Sequence, residues 1–525
     1  MFDKIKNGQT YLGIELGSTR IKAVLTDNEF HCIALGIYDW ENKLENGYWT
    51  YSLEEIHKGV QGCFANLVKN VSDEYGTELT CIGAIGISGM MHGYMAFDKN
   101  GNLLVPFRTW RNTTTKEAAD ELTKLFEFNI PQRWSIAHLY QAILNEEPHV
   151  SEIAYITTLA GYIHFLLTGK HELGIGEASG MFPVEHNHYN RCMLEKFNKL
   201  IENRMFEWNI CDIFPSVRTA GDKGAILTET GAKFLDPTGK LKAGIPLCPP
   251  EGDAGTGMVA TNSVLPKTGN VSAGTSIFAM LVLEEALKNL HKEIDVVTTP
   301  DGSPVAMVHC NNCCGELDSW VKLFGEFANL AGISIEKSSL YELLYTTAIS
   351  GDADCGGITA FNYLSGEHIT GIEKGRPMYF RSAEGNMNIA NFIKAQIYSA
   401  MATLALGMEI LIQEDKVCTE KIYAHGGLFK VKGVAQQILA NALQTSVSVT
   451  ETATEGGAWG MALLAAYMMT GNSISLGKWL SENVFSKVQT TVAIPDRNGI
   501  SGFKEYLNRY RAAIEAERKL EEIVC

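Results

Sequence analysis

The sequence predicts an α/β protein of two domains, and three observations carry that prediction. A chain of 525 residues exceeds what a single hydrophobic core usually serves. Apolar runs that alternate or stop at glycine read as strands, and longer runs with helical spacing lie between them. A small-residue turn set between apolar segments occurs near the start, in "ELGST", and again in the second half, in "SAGTS".

Taken in order, the apolar residues from Tyr11 to Leu25 partly alternate, and the pattern resumes after a turn at Asp27-Asn28. Two or three antiparallel strands are expected there. "LEEIHKGVQGCFANLVKNV" has helical spacing. "LTCIGAIGISG" is a short apolar run ending in glycines, as a buried strand that delivers a loop to a site would be. "YITTLAGYIHFLLTG" predicts a buried helix closed by Gly169. Later, "KIYAHGGLFKVKGVAQQILANALQT" reads as strand, glycine turn and helix, and "TEGGAWGMALLAAYMMTG" as a second glycine-rich helix start. The tail places Phe503, Tyr506, Leu507, Tyr510 and Ile514 on one face of a docked terminal helix. No linker separates the halves, and the boundary is expected near "PPEGDAGTGMVAT", giving domains of residues 1–257 and 258–525.

Composition narrows the function. An apolar fraction of 46% with 20% charged residues describes a chain that can bury a core, not a disordered one. A formal charge of −16 argues against nucleic acid as a partner, since phosphate contacts need a basic surface. No signal peptide is visible in "MFDKIKNGQT". The apolar stretch around "GGAWGMALLAAYMM" falls short of the ~20 residues of a membrane span. No membrane partner is expected, therefore, and the twelve cysteines read as reduced cytoplasmic thiols. Cys310, Cys313 and Cys314 would need a fourth ligand such as His309 to hold zinc, and no second C-x-x-C pair follows. Packed thiols are the expectation.

Four glycine-rich elements fall at predicted strand ends: "ELGST", "SAGTS", "AHGGLF" and "TEGGAWG". Backbone N–H groups exposed by such turns can cradle phosphate oxygens, and small Ser and Thr side chains add donors without blocking approach. The duplicated layout suggests a nucleotide gripped by two domains. There is no G-x-x-x-x-G-K-[ST], so this is not a P-loop protein.

With these residues in view, the chain resembles the FGGY family of carbohydrate kinases, nearly end to end. "GIELGSTRIKAVLTD" is similar to the family's first phosphate motif and "GNVSAGTS" to its second. "HFLLTGKHELGIGEASG" and "NYLSGE" match mid-domain segments, and "HGGLFKVKGVAQQILANALQTSV" the adenosine-binding region. The resemblance implies a two-domain, actin-like, ribonuclease-H-like ATPase fold with its site in the interdomain cleft. It also implies ATP and Mg²⁺ as cofactors, and a homodimer is compatible with it.

"EGDAGTG" resembles the segment carrying the family's catalytic aspartate, which maps to Asp253. The chemistry agrees, because phosphoryl transfer needs a carboxylate that accepts the sugar hydroxyl's proton. "MHG", Met91, His92 and Gly93, is similar to the Met-His-Gly of xylulokinases and implies contacts to a ketose. Trp110 fits the tryptophan of the family's W-x-D motif, a flat apolar face for a sugar's C–H side. The aspartate of that motif is Asn112 here, a substrate contact that loses the charge and gains a donor. Glu15 stands where most members carry an Asp that helps hold Mg²⁺, often through water. It keeps a hard oxygen ligand, although pairing with Lys22 or Arg20 would also account for it. "GEHIT" replaces the usual "GERTP", leaving the role of His368 open.

The implied ATP contacts are Ser18, Thr19 and Lys22, then Ser272, Gly274 and Thr275, then Gly426, Gly427 and Asn441. Gly457 and Ala458 would open the helix behind the nucleotide. The expected reaction is ATP-dependent phosphorylation of a small sugar, at O5 of a ketopentose such as xylulose. L-Ribulose, L-xylulose, glycerol and gluconate stand as other acceptors, and a non-catalytic nucleotide-binding regulator as the reading from another class.

Overall fold

A computed structural model describes residues 1–450, 456–471 and 474–523. Thr454 and Glu455, the start of "TEGGAWG", lie outside the described residues. By packing, the chain forms two compact units. The first comprises Met1–Val264, Asp295–Val305 and Glu455–Lys487, and the second Leu265–Ile294, Ala306–Thr454 and Val488–Cys525. Two later segments, Asp295–Val305 and Glu455–Lys487, thus pack with the first unit.

The first unit is built on a mixed sheet. Strands β1 (Thr10–Leu16), β2 (Arg20–Asp27) and β3 (Cys32–Asp39) pair antiparallel in sequence order. The alternation read from the sequence is this meander. Helix α1 (Leu53–Tyr75) follows, capped by the Ser52 side chain, which accepts from the Glu55 N–H, and closed by Gly76 at φ +63°. It lies on β3 at Gly36, where an added Cβ would sit 2.3 Å from the Cys63 carbonyl oxygen. Strand β4 (Ala84–Gly89) is buried throughout and pairs parallel with β1. Helix α2 (Leu159–Thr168) is closed by Gly169 at φ +70°, and short helix α3 (Ile175–Ala178) follows it. Strands β5 (Ala225–Ile226) and β6 (Pro246–Leu247) complete one edge of the sheet, and β7 (Glu251–Gly252) also pairs with β4. Helix α4 (Asp253–Ala260) starts directly from β7.

The helix Gly456–Thr470, far along the chain, packs on this same sheet. Glycines let it settle there. A Cβ at Gly13 of β1 would sit 2.0 Å from the Ala458 carbonyl oxygen, and one at Gly460 would sit 2.1 Å from that of Thr256 in α4. Gly13→Ala is therefore expected to cost about 3 kcal/mol or more by overpacking against backbone. A lowered urea midpoint checks this, and an unchanged one refutes the contact.

A second seven-stranded sheet lies mostly in the second unit. Its strands are β8 (Thr268–Ala273), β9 (Ile277–Val282), β10 (Ile294–Thr298), β11 (Pro304–Cys310), β12 (Lys421–Gly426), β13 (Ser446–Thr450) and β14 (Thr490–Ala493). Their spatial order is β10-β11-β9-β8-β12-β13-β14. Around it lie α5 (Gly315–Leu330), α6 (Ile389–Gln413), α7 (Val434–Leu443) and α8 (Arg497–Ile523). Among the described residues α6 is the one helix long and apolar enough to cross a membrane, and it is mostly buried in this unit's core. Phe503, Tyr506, Leu507 and Tyr510 of α8 join that core, with Ile514 packed at its margin. Cys310, Cys313 and Cys314 are buried in it as well.

Candidate active site

In the first unit, strand register assembles a row of polar side chains. Glu15 pairs with Lys22 across β1–β2 and with Ser88 across β1–β4, and Ser88 pairs with Glu251 across β4–β7. Directly paired residues share a sheet face, so Lys22, Glu15, Ser88 and Glu251 project together. Helix α4 is tied to this row through Thr256, whose hydroxyl lies 3.2 Å from that of Ser88. Asp253, its first residue, is delivered beside them.

Hydrogen bonds fix both key carboxylates. The Met91 N–H donates to Asp253 Oδ1 at 3.3 Å, and the Ala458 N–H donates to Glu15 Oε2 at 3.1 Å. The latter donor sits in the first turn of the Gly456–Thr470 helix, where free N–H groups favour negative charge. Gly457 beside it carries no side chain, and a Cβ there would lie 2.6 Å from Glu15 Oε1. Both carboxylates keep partial exposure while protein surrounds them. Burial, then the like charge of Asp253, pushes Glu15 up to about 7 against the pull of the Ala458 N–H and Lys22. Burial pushes Asp253 up to about 6, opposed by backbone N–H groups, Met91's foremost. An aspartate poised near neutral pH suits a general base.

Met91, His92 and Gly93 form the wall next to Asp253. The Met91 side chain lies against Gly252, where an added Cβ would sit 2.1 Å from its Cγ. His92 is buried at φ +69°, with Nδ1 3.0 Å from the Gly180 carbonyl oxygen. Its ring stacks near Trp134 at 6.2 Å. Gly93, at φ +88°, donates its N–H to the Arg133 carbonyl and accepts from the Ser135 hydroxyl. The protein itself uses both of Gly93's backbone groups, so this residue turns the loop. Asn112 is buried, its carbonyl accepts the Trp49 N–H at 2.8 Å, and its amide donates to the Trp49 and Thr109 carbonyls. An asparagine so engaged pins the loop and has no hydrogen left for a sugar hydroxyl.

Trp110 is 38% exposed and donates from Nε1 to Ser18 Oγ at 3.2 Å. It therefore touches the first glycine turn as well as presenting a ring face. That turn is held from below, since Trp40 Nε1 donates to the Gly17 carbonyl and the Tyr51 hydroxyl to the Ser18 carbonyl. Thr19 is exposed, Ser18 and Lys22 partly so.

In the second unit, Ser272 sits near the end of β8, and the exposed Gly274 and Thr275 lie in the turn from β8 to β9. The Cys313 N–H donates to the Thr275 carbonyl and the Cys314 N–H to that of Gly274, so the buried thiol segment holds the turn. Gly426, at φ +107°, pairs with Ala273 on the neighbouring strand, where its Cβ would meet the Ala273 carbonyl oxygen at 2.2 Å. The two glycine turns of this unit are thus adjacent, with Gly427 exposed beside them. Asn441 is buried, donates to Asp496 Oδ2 at 3.0 Å and accepts the Asp496 N–H at 2.9 Å. Its amide anchors the start of α8. His368 is exposed, its ring 6.3 Å from that of His309.

Sequence reasoning missed two buried acids, Glu177 and Glu251. Glu177 is fully buried, and neither carboxyl oxygen has a hydrogen-bond partner in ordinary geometry. Glu251 accepts the Glu177 N–H at 2.9 Å. The glycines of "GIGE" were the available signal, as shown below.

Comparison with known proteins decides the class. Residues 10–259 match the profile of the N-terminal domain of the FGGY family of carbohydrate kinases, and residues 269–469 that of its C-terminal domain. The chain belongs to the FGGY family of carbohydrate kinases. It is a sugar phosphotransferase with the actin-like fold of that family. It is 24% identical over 522 residues to a xylulose kinase of Haemophilus influenzae, covering 95% of this chain and 98% of that one. Among solved structures, a ligand-bound xylulose kinase from Lactobacillus acidophilus superimposes with a TM-score of 0.78 at 16% identity, covering 97% of this chain and 99% of that one. A glycerol kinase of Plasmodium falciparum with ADP gives 0.76 at 15% identity, over 97% and 98%.

Proposed function

We propose that this FGGY kinase transfers the γ-phosphoryl group of ATP to O5 of a ketopentose such as xylulose. One observation carries the reading: Asp253, held near neutral proton affinity, is hydrogen-bonded to Met91 of the Met-His pair. The xylulose kinase from Haemophilus influenzae supports the choice of acceptor. Asp253 accepts the proton of the sugar hydroxyl as that oxygen attacks phosphorus, and the bond to the leaving ADP oxygen breaks. His92 and Met91 hold the sugar, and Trp110 offers it a ring face. Ser18, Thr19 and Lys22 in residues 1–257, and Ser272, Gly274, Thr275, Gly426 and Gly427 in residues 258–525, bind the nucleotide. A cytoplasmic location follows from ATP as co-substrate and belongs to the same proposal.

Glu15 fits Mg²⁺. It is a partly exposed residue whose carboxylate offers hard oxygens. Such a donor suits an ion held by one or two carboxylates together with substrate phosphates. Bound there, Mg²⁺ would supply charge neutralisation at the phosphates.

A coupled assay over D-xylulose, L-xylulose, L-ribulose, glycerol and gluconate tests the proposal. A ketopentose is expected to give kcat/KM about tenfold or more above the others, a gap of roughly 1.4 kcal/mol in transition-state binding. Preference for glycerol or gluconate overturns the acceptor. ATP binding with no turnover of any acceptor would point to the regulator instead.

A further inference from the structure

Two glycines in "GIGE" have no conformational need to be glycine: neither Gly174 nor Gly176 has a positive φ. They make room. A Cβ on Gly174 would lie 2.1 Å from Glu251 Oε1, and one on Gly176 would lie 2.4 Å from Oε2. The Glu251 side chain, only 1% exposed, fills the notch they leave. There it accepts the Glu177 N–H at 2.9 Å and the Gly176 N–H at 3.4 Å, while the Gly174 N–H donates to the Pro250 carbonyl at 2.8 Å.

These contacts close a ring around the proposed base. Glu251 is two residues before Asp253, on the strand that leads into it. The segment it grips runs on to Gly180, whose carbonyl meets His92 Nδ1 and where a Cβ would lie 2.9 Å from Met91 Cε. Met91 returns to Asp253 through its N–H. The fully buried Glu177 carboxyl lies against Gly252, between the two arms of the ring.

We propose that Glu251 is a positioning residue: its carboxyl, seated in the Gly174–Gly176 notch, sets the register in which Met91 and His92 meet Asp253. The proposal rests on the kinase reading for its effect on rate, though not for its effect on geometry. The titratable groups facing Glu251 are Glu177, Asp301 and Cys248, and those facing Asp253 are Glu15 and Glu177.

The test compares full-length wild type, E251A, E251Q and G176A by kcat, KM for ATP, the pH profile of kcat, and hydrogen exchange at the Met91 amide. E251A is expected to lower kcat roughly ten- to a hundredfold through misplacement, with KM for ATP within about twofold. Water entering the notch relieves the burial around Asp253, so the acidic limb of kcat moves down by about half a pH unit or more. The Met91 amide exchanges faster. E251Q, which refills the notch, recovers most of the rate relative to E251A and restores amide protection. A folded E251A with kcat within about twofold of wild type overturns the proposal, as does a loss of rate with the acidic limb in place. Should E251A not fold, G176A presses the notch from the other side, and wild-type kcat there overturns it equally. If wild type phosphorylates no acceptor, the kinase reading fails on that ground. The Met91 amide still decides the positioning role, because unchanged protection in E251A refutes it.

Discussion

Asp253→Asn is expected to lower phosphoryl transfer by roughly 10²- to 10⁴-fold, the usual worth of a positioned general base. Asn keeps the carbonyl oxygen that accepts the Met91 N–H, so the loop carrying Met91 and His92 should stay in place and KM for the sugar should change little. The pH profile adds a second signature. Asp253 works ionised, and its carboxyl is pushed up to about 6, so wild-type kcat should fall as pH drops through about 6 and level off above it. In Asp253→Asn that limb should vanish from the residual rate. Stability should move the other way. A raised proton affinity in the fold means the ionised group is disfavoured there, so folding loses stability as pH rises from the ordinary carboxylate range through about 6. Above that pH the neutral Asn removes the penalty, and its Tm should equal or exceed that of wild type. Full activity in Asp253→Asn would refute the assignment.

How much of this was legible in sequence follows from how far apart the partners lie. The β1–β2 hairpin and the Ser18–Thr19 turn are local, and alternation with a small-residue break was enough to place them. The loop clamp at Asn112 was not legible because its partner is the backbone of Trp49, 63 residues earlier. From composition, a buried Asn that clamps a loop and one that binds a sugar are identical. The Asn441 anchor was hidden for the same reason, its partner Asp496 lying 55 residues on. Glu251 stood inside a quoted motif, yet its meaning required two glycines some 75 residues away. Glycine spacing announces turns when φ is positive; at Gly174 and Gly176 it announced an absent volume instead, and no local rule reads that. The donor at Glu15 is the extreme case, since Ala458 lies 443 residues from it.

That donor frames the second large effect expected, at Glu15. Opposite Lys22 in register and fixed by the Ala458 N–H, Glu15 could be only the end of a charged hairpin. Its proton affinity speaks for more. A carboxylate serving a surface ion pair is held low, whereas burial and Asp253 push Glu15 up to about 7. Such a carboxylate binds a cation only after giving up its proton. The Mg²⁺ concentration for half-maximal rate should therefore fall about tenfold for each pH unit gained below 7 and flatten above it. Glu15→Gln should abolish that dependence and lower kcat by roughly 10²-fold at fixed Mg²⁺, in line with the several kcal/mol a metal-held phosphoryl group gains in the transition state. Glu15→Asp shortens the arm by one methylene, about 1.5 Å, and separates the two roles. If the carboxylate serves Mg²⁺, Asp should keep a pH-dependent Mg²⁺ requirement with a modest loss of rate. If it serves only the hairpin, Gln and Asp should both leave the Mg²⁺ titration where wild type has it, and the metal would then be held by the nucleotide without Glu15.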